Sequence, residues 1–130
     1  MPIVIHGGID GQLPISKRAS KLGSEKRVWQ QTAEQLSNFD IGDGEKIPLL
    51  DEVLALCENF PRALINIELK GPKTETLALQ YNFDMAARKV IGLIEKRGLG
   101  MRTMISSFRI RMIDSLIKEA GPPEKRKFLI

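Results

Sequence analysis

The sequence predicts an α/β fold built on a parallel sheet, and three observations carry that prediction. Short β-branched runs alternate along the chain with amphipathic stretches of helical period. The segments between successive runs are long enough for crossovers, where an antiparallel pair would need only a short hairpin. One run, residues 64–70, alternates apolar and polar side chains at a strand's period of two and stops at Gly71-Pro72.

The elements follow in order. Pro2-Ile3-Val4-Ile5-His6 is short and β-branched and is ended by Gly7-Gly8, which predicts a buried strand. Residues 9–31 are irregular, with Gly11, Pro14 and Gly23 and a basic scatter at Lys17, Arg18, Lys21, Lys26 and Arg27. Loops of that length inside a compact domain are uncommon and often functional. Thr32 and Gln35 have the spacing of a capping box, so a short helix should begin there. Asp40 to Gly44 is rich in turn formers. After Pro48, the residues Leu50, Val53, Leu54 and Cys57 share one helical face and predict a helix over 50–59.

A strand over 64–70 comes next, and residues 73–80 are polar and ambiguous. Phe83, Ala87, Val90, Ile91 and Ile94 form the stripe of a longer helix that should stop near Gly98. Residues 102–107 predict a third strand. Ile110, Ile113, Leu116 and Ile117 predict another helix, ended by Gly121-Pro122. Residues 127–130 begin a fourth strand. A chain that starts in one strand and stops in another reads as an excerpt of a larger sheet or barrel, because parallel sheets are normally covered on both faces and hydrophobic edges invite association.

Bulk composition excludes several classes. The 130 residues are enough for one domain, with 42% hydrophobic and 28% charged residues, as in ordinary globular proteins. The net charge of +4 favours an anionic substrate. Nucleic acid is not expected as a partner, since the cations are dispersed and aromatics make up only 5% of residues. Cys57 is the sole cysteine, which excludes an internal disulfide and a cysteine zinc site. No run nears the roughly 18 apolar residues of a membrane span, and no basic leader precedes the first apolar run. A cytoplasmic location is the resulting expectation.

The chemistry-bearing residues cluster at the 64–70 strand. Asn66, Glu68 and Lys70 point to one face while Ile65, Ile67 and Leu69 point to the other. An acid and a base at the C-terminal end of a strand occupy the place where α/β folds put ligand-binding groups. The same pair could equally form a structural ion pair, and a single strand-end histidine such as His6 is commonly structural. Cys57 lies on the apolar stripe of its helix and reads as core. Trp29 reads as a packing anchor, and Asp10, Asp40 and Asp43 as turn formers. Asp10, close to His6, is the one aspartate of the three to consider for the site.

Four segments in order resemble the glycerophosphodiester phosphodiesterase family: Ile3-Val4-Ile5-His6, the Asp40 to Leu54 link with its Gly42-Asp43-Gly44 and Ile47-Pro48, Asn66-Ile67-Glu68-Leu69-Lys70-Gly71-Pro72, and Ile105-Ser106-Ser107-Phe108. The resemblance implies a partial (β/α)₈ TIM barrel, with about four parallel strands and intervening helices. It implies hydrolysis of glycerophosphodiesters to glycerol 3-phosphate and an alcohol, with a divalent Mg or Ca ion. By the same resemblance, His6 matches the second of two acid/base histidines, Glu68 a metal ligand, and Lys70 a phosphate contact. Ser107 and Phe108 match a pocket-lining position.

There are departures. Gly7 stands where the family often has Asp. The family's His-Arg-Gly turn and Glu-x-Asp pair do not occur in these 130 residues. The chain therefore resembles strands three to six, about half of a barrel of ~250 residues. With one carboxylate of the expected three, the isolated chain is expected to be inactive and prone to associate through its strand edges. A truncated relative that binds phosphodiester headgroups or a partner protein without cleavage is the competing expectation. A lysophospholipid-like substrate is a third.

Overall fold

A computed structural model of the chain describes residues 1–5, 28, 31–72 and 74–130. His6, the glycines after it, Asp10, the basic scatter from Lys17 to Arg27 and Trp29 lie outside the described residues.

The first elements are small. Helix α1 spans Ala33–Ser37 and starts with the expected capping box. Thr32 N–H donates to Gln35 Oε1 at 2.9 Å, and Gln35 N–H donates to Thr32 Oγ1 at 3.2 Å. The turn-rich link is an antiparallel hairpin of β1, Asp40–Gly42, and β2, Glu45–Lys46. Its turn has positive φ at Asp43 and Gly44, the conformation that Asp and Gly tolerate best. Leu36, Phe39 and Ile47 form a small apolar cluster here, with Ile3, Ile5 and Val28 packed on it.

Helix α2 spans Leu50–Glu58, and the Glu52 carboxylate accepts from Leu49 N–H at 2.8 Å at its start. Leu50 and Leu54 are buried, while Cys57 is half-buried and its thiol is unpaired. Strand β3 covers Ile65–Glu68. Helix α3, Glu75–Ala78, is a single turn within the ambiguous 73–80 stretch. Helix α4 spans Phe83–Lys96, and all five residues of its expected stripe are buried. Asn82 Oδ1 accepts from Met85 N–H at its start, and Gly98 at φ +65° closes its end. Strand β4 is Thr103–Ser106, and helix α5 is Ile110–Ala120, ended at Gly121 with φ +71°.

β3 and β4 pair in parallel, with Asn66 opposite Met104 and Glu68 opposite Ser106. Beyond β4, Leu129 makes a parallel bridge with Met104. Ile105 N–H donates to Leu129 C=O at 2.8 Å, and Leu129 N–H to Thr103 C=O at 3.1 Å. A side chain on Gly100 would come within 2.6 Å of the Lys127 carbonyl, so this returning segment requires glycine there. The main core lies between the sheet and its helices. It joins Leu54 of α2, Leu69, the stripe of α4, Ile105 of β4, Met112 and Leu116 of α5, and Phe128.

The expected four parallel strands are thus reduced, among the described residues, to two paired strands and one bridged residue. The predicted strand at 2–6 is the main difference. Ile3 forms an antiparallel bridge with Leu49 and does not pair with β3. Val4 N–H donates to Pro48 C=O at 2.9 Å and Leu50 N–H to Pro2 C=O at 3.1 Å. The physical reason is local. The extended lead into α2 offers matching backbone groups, and Leu36, Phe39 and Ile47 give Ile3 and Ile5 an apolar surface.

The face of α5 also differs. Met112, Ser115 and Leu116 are buried, Ile113 is half-buried, and Ile110 and Ile117 are exposed. The seam with α4 is partly polar, which turns the helix. Arg88 makes a two-point contact with Glu119, each bond 2.9 Å. Ser115 Oγ donates to Asp84 Oδ1 at 2.6 Å, and Lys118 also binds the Asp84 carboxylate.

Two arginines fasten α2. Arg97, beyond α4, donates to Asp51 at 2.7 Å and Glu58 at 2.8 Å, and this pairing pushes its guanidinium further into the charged range and holds the Asp51 carboxyl low. Arg102 donates to the carbonyls of Cys57, Phe60 and Ala63 at 2.7–2.9 Å, tying the C-terminus of α2 and its following turn to the start of β4. Among the described residues no helix is long and apolar enough to cross a membrane.

Candidate active site

Alternation along β3 separates two environments. Ile65, Ile67 and Leu69 pack against the helix layer. Asn66, Glu68 and Lys70 project from the opposite, exposed face. On β4 the division repeats: Thr103 and Ile105 are buried, Met104 is exposed and Ser106 half-buried. Ser106 Oγ donates to Asn66 Oδ1 at 3.1 Å across the strands on the exposed face.

Glu68 and Lys70 therefore share a face, and their charges meet, with Lys70 Nζ 3.5 Å from Glu68 Oε1. Their side chains are 35% and 41% exposed, respectively. So open a pair contributes at most about 1 kcal/mol and separates easily. Both groups are accessible to a ligand, the carboxylate as a hard oxygen donor and the ammonium as a point charge.

A groove of about 580 Å³ runs along β3 on the side away from β4. Its walls come from residues 1–5, from β3 through Gly71, and from the entry to α4 at Tyr81, Asn82, Met85 and Lys89. Glu68 and Lys70 both line it, as does Ile5, the described neighbour of His6. Tyr81 stands edge-on to Phe83, with ring centroids 4.9 Å apart, and burial pushes its phenol above the usual value.

Ser107 and Phe108 lie just past the end of β4 and do not line this groove. Ser107 Oγ donates to Leu69 C=O at 2.7 Å and accepts from Arg109 N–H at 3.1 Å. Phe108 is 90% exposed. The structure thus brings Glu68, Lys70 and Ser107 to one end of the sheet. Asn66, Ser106 and Tyr81 are neighbours that the candidate set did not include. Asn66 was visible from the period of two, whereas Ser106 depends on the strand register and Tyr81 on how the α4 entry folds back.

The fit to a divalent cation is partial. Glu68 has the right donor type and an accessible oxygen. Among the described residues, no group of three or more His, Cys, Asp or Glu side chains is placed to hold a metal. Glu68 is thus the one carboxylate that the described part of this sheet face offers.

No family model and no curated protein matches the chain. Among solved structures, the chain is similar to a crystal structure from Galdieria sulphuraria that carries the assignment, itself inferred, of glycerophosphodiester phosphodiesterase. The TM-score is 0.66 at 24% sequence identity, over 89% of this chain and 42% of the other. The likeness is one of fold, and the chain spans less than half the length of that structure.

Proposed function

We propose that the chain is the central part of the barrel domain of a metal-dependent phosphodiester hydrolase that cleaves glycerophosphodiesters to glycerol 3-phosphate and an alcohol. The observation that carries this reading is the placement of Glu68 and Lys70. They sit together, accessible, at the C-terminal end of a parallel strand, on the face opposite the helices. The order of the four resembling segments and the fold likeness to the Galdieria sulphuraria structure support it.

The chemistry follows from the charge of the substrate. A phosphodiester is an anion, and attack on phosphorus becomes easier when charge on its nonbridging oxygens is offset. A Mg or Ca ion supplies that offset when bound. Glu68 is this chain's ligand for it. Lys70 binds the phosphate oxygens as a second positive charge on the same face, roughly 7 Å along the strand. Water attacks phosphorus and gives its proton to the other acid/base histidine that the resemblance implies, which is not among these 130 residues. The leaving alkoxide takes a proton from His6, whose ordinary pKa of about 6.5 suits proton transfer near neutrality. Its role rests on the family resemblance. Phe108, exposed just past the end of β4 and outside the groove, offers an apolar surface to the carbon skeleton of the substrate.

Hydrolysis of glycerophosphocholine by the complete gene product, followed as released glycerol 3-phosphate, tests the reading. His6→Ala should lower kcat by about 10²–10⁴-fold. Lys70→Met should act chiefly on KM. Activity of His6→Ala within about threefold of wild type would remove the acid role.

A further inference from the structure

We propose that Ser107 is a positioning residue for the Glu68–Lys70 pair and not a substrate contact. This rests on the reading just given and refines one part of it.

The argument starts from what a hydroxyl can do. Ser107 Oγ has one hydrogen to give and two lone pairs. The hydrogen goes to Leu69 C=O at 2.7 Å, and one lone pair receives Arg109 N–H at 3.1 Å. A phosphodiester group carries only acceptors. Ser107 could bond it only by releasing Leu69. The remaining lone pair can accept from a donor but cannot hold a phosphate.

The position of Leu69 gives this bond its consequence. Leu69 lies between Glu68 and Lys70, with its own side chain buried on the helix face. Its N–H donates to Ser106 C=O at 2.8 Å. Both backbone polar groups of Leu69 are thereby held by the Ser106-Ser107 pair. The peptide units flanking it cannot rotate independently, so the directions of the Glu68 and Lys70 side chains are set. Just beyond, a Cβ on Gly71 would stand 3.1 Å from Phe83 and 3.7 Å from the Arg109 side chain, so the exit of the strand is closely packed as well. The same hydroxyl that fixes the strand end also fixes the first turn after β4, through Arg109.

Three variants of the complete gene product test the assignment. Ser107→Ala should lower kcat about tenfold, because Glu68 loses its alignment, and raise KM by no more than Lys70→Met does, because Lys70 loses its own. Ser107→Thr keeps the hydroxyl and should restore kcat to within about threefold of wild type. Thr103→Val removes another hydroxyl-to-carbonyl bond, from Thr103 Oγ1 to Leu99 C=O at 2.8 Å, on the buried face. It should leave kcat unchanged, which separates positioning from general loosening. A raised KM with intact kcat in Ser107→Ala would mark a direct substrate contact and overturn the proposal. Failure of threonine to restore kcat, or an equal loss of kcat in Thr103→Val, would overturn it too. Amide exchange keeps this claim separable from the reaction itself. If the wild type hydrolyses no glycerophosphodiester, exchange at Arg109 about tenfold faster in Ser107→Ala would still support the clamp, and equal rates would sink it.

Discussion

The two faces of the β3–β4 sheet are made by the same eight residues and have opposite characters. One face carries Ile65, Ile67, Thr103 and Ile105 against the helices. The other carries Asn66, Glu68, Met104 and Ser106 away from them. The difference shows how a short strand serves two demands. Alternation lets one set of side chains supply burial while the next set presents chemistry, and the backbone ladder holds both in one register. Leu69 and Lys70 extend the division past the last paired residue, and the Ser107 hydroxyl secures it there.

Substitution can break this contrast on either side. The largest effect on stability should come from the closed face. Ile105 is fully buried, and Ile105→Ala should cost about 2–5 kcal/mol in urea unfolding through the lost transfer energy and the cavity left behind. Met104, its neighbour on the same strand, is 44% exposed on the open face. Met104→Ala should cost about 1 kcal/mol or less in the same assay. Equal losses at 104 and 105 would mean that the two faces are not distinct environments.

A smaller effect belongs to the helix layer that covers the closed face. Hydrogen bonds from Lys118 and Ser115 hold the Asp84 carboxyl below its ordinary value of 3.8. A carboxyl depressed in the folded state stabilises above its unfolded value, and that contribution disappears as pH falls through the folded one. Wild-type stability should therefore decline below about pH 4, and Asp84→Asn should decline less steeply there. Acid titration of the melting temperature checks this, and parallel curves for the two proteins would contradict it.

What could be read from the sequence follows the same logic. The stripe of α4 was legible because Phe83, Ala87, Val90, Ile91 and Ile94 obey a local period and all face one core. The common face of Glu68 and Lys70 was legible for the same reason, with a period of two. The buried face of α5 was legible only in part, since Leu116 is buried and Ile113 packs on the core while Ile110 and Ile117 do not. Ser115 and Glu119 look like surface residues until Asp84 and Arg88 are placed opposite them, and Ile110 and Ile117 look like core until that seam turns them outward. The N-terminal run was legible as extended but not in its pairing. Its β-branched residues suit any strand partner, and whether Ile3 meets Leu49 or β3 depends on residues far along the chain. Local periodicity transfers from sequence to structure, while partner choice between distant segments does not.

The open face is proposed to hold a cation through Glu68, and one titration tests that most directly. Hydrolysis of glycerophosphocholine by wild type and Glu68→Gln is measured against Mg²⁺ and against Ca²⁺ concentration. Loss of a charged oxygen ligand should move the midpoint of activation upward by about tenfold or more, with the unfolding midpoint unchanged. Activation curves that superimpose for the two proteins would contradict the assignment of Glu68 as a metal ligand.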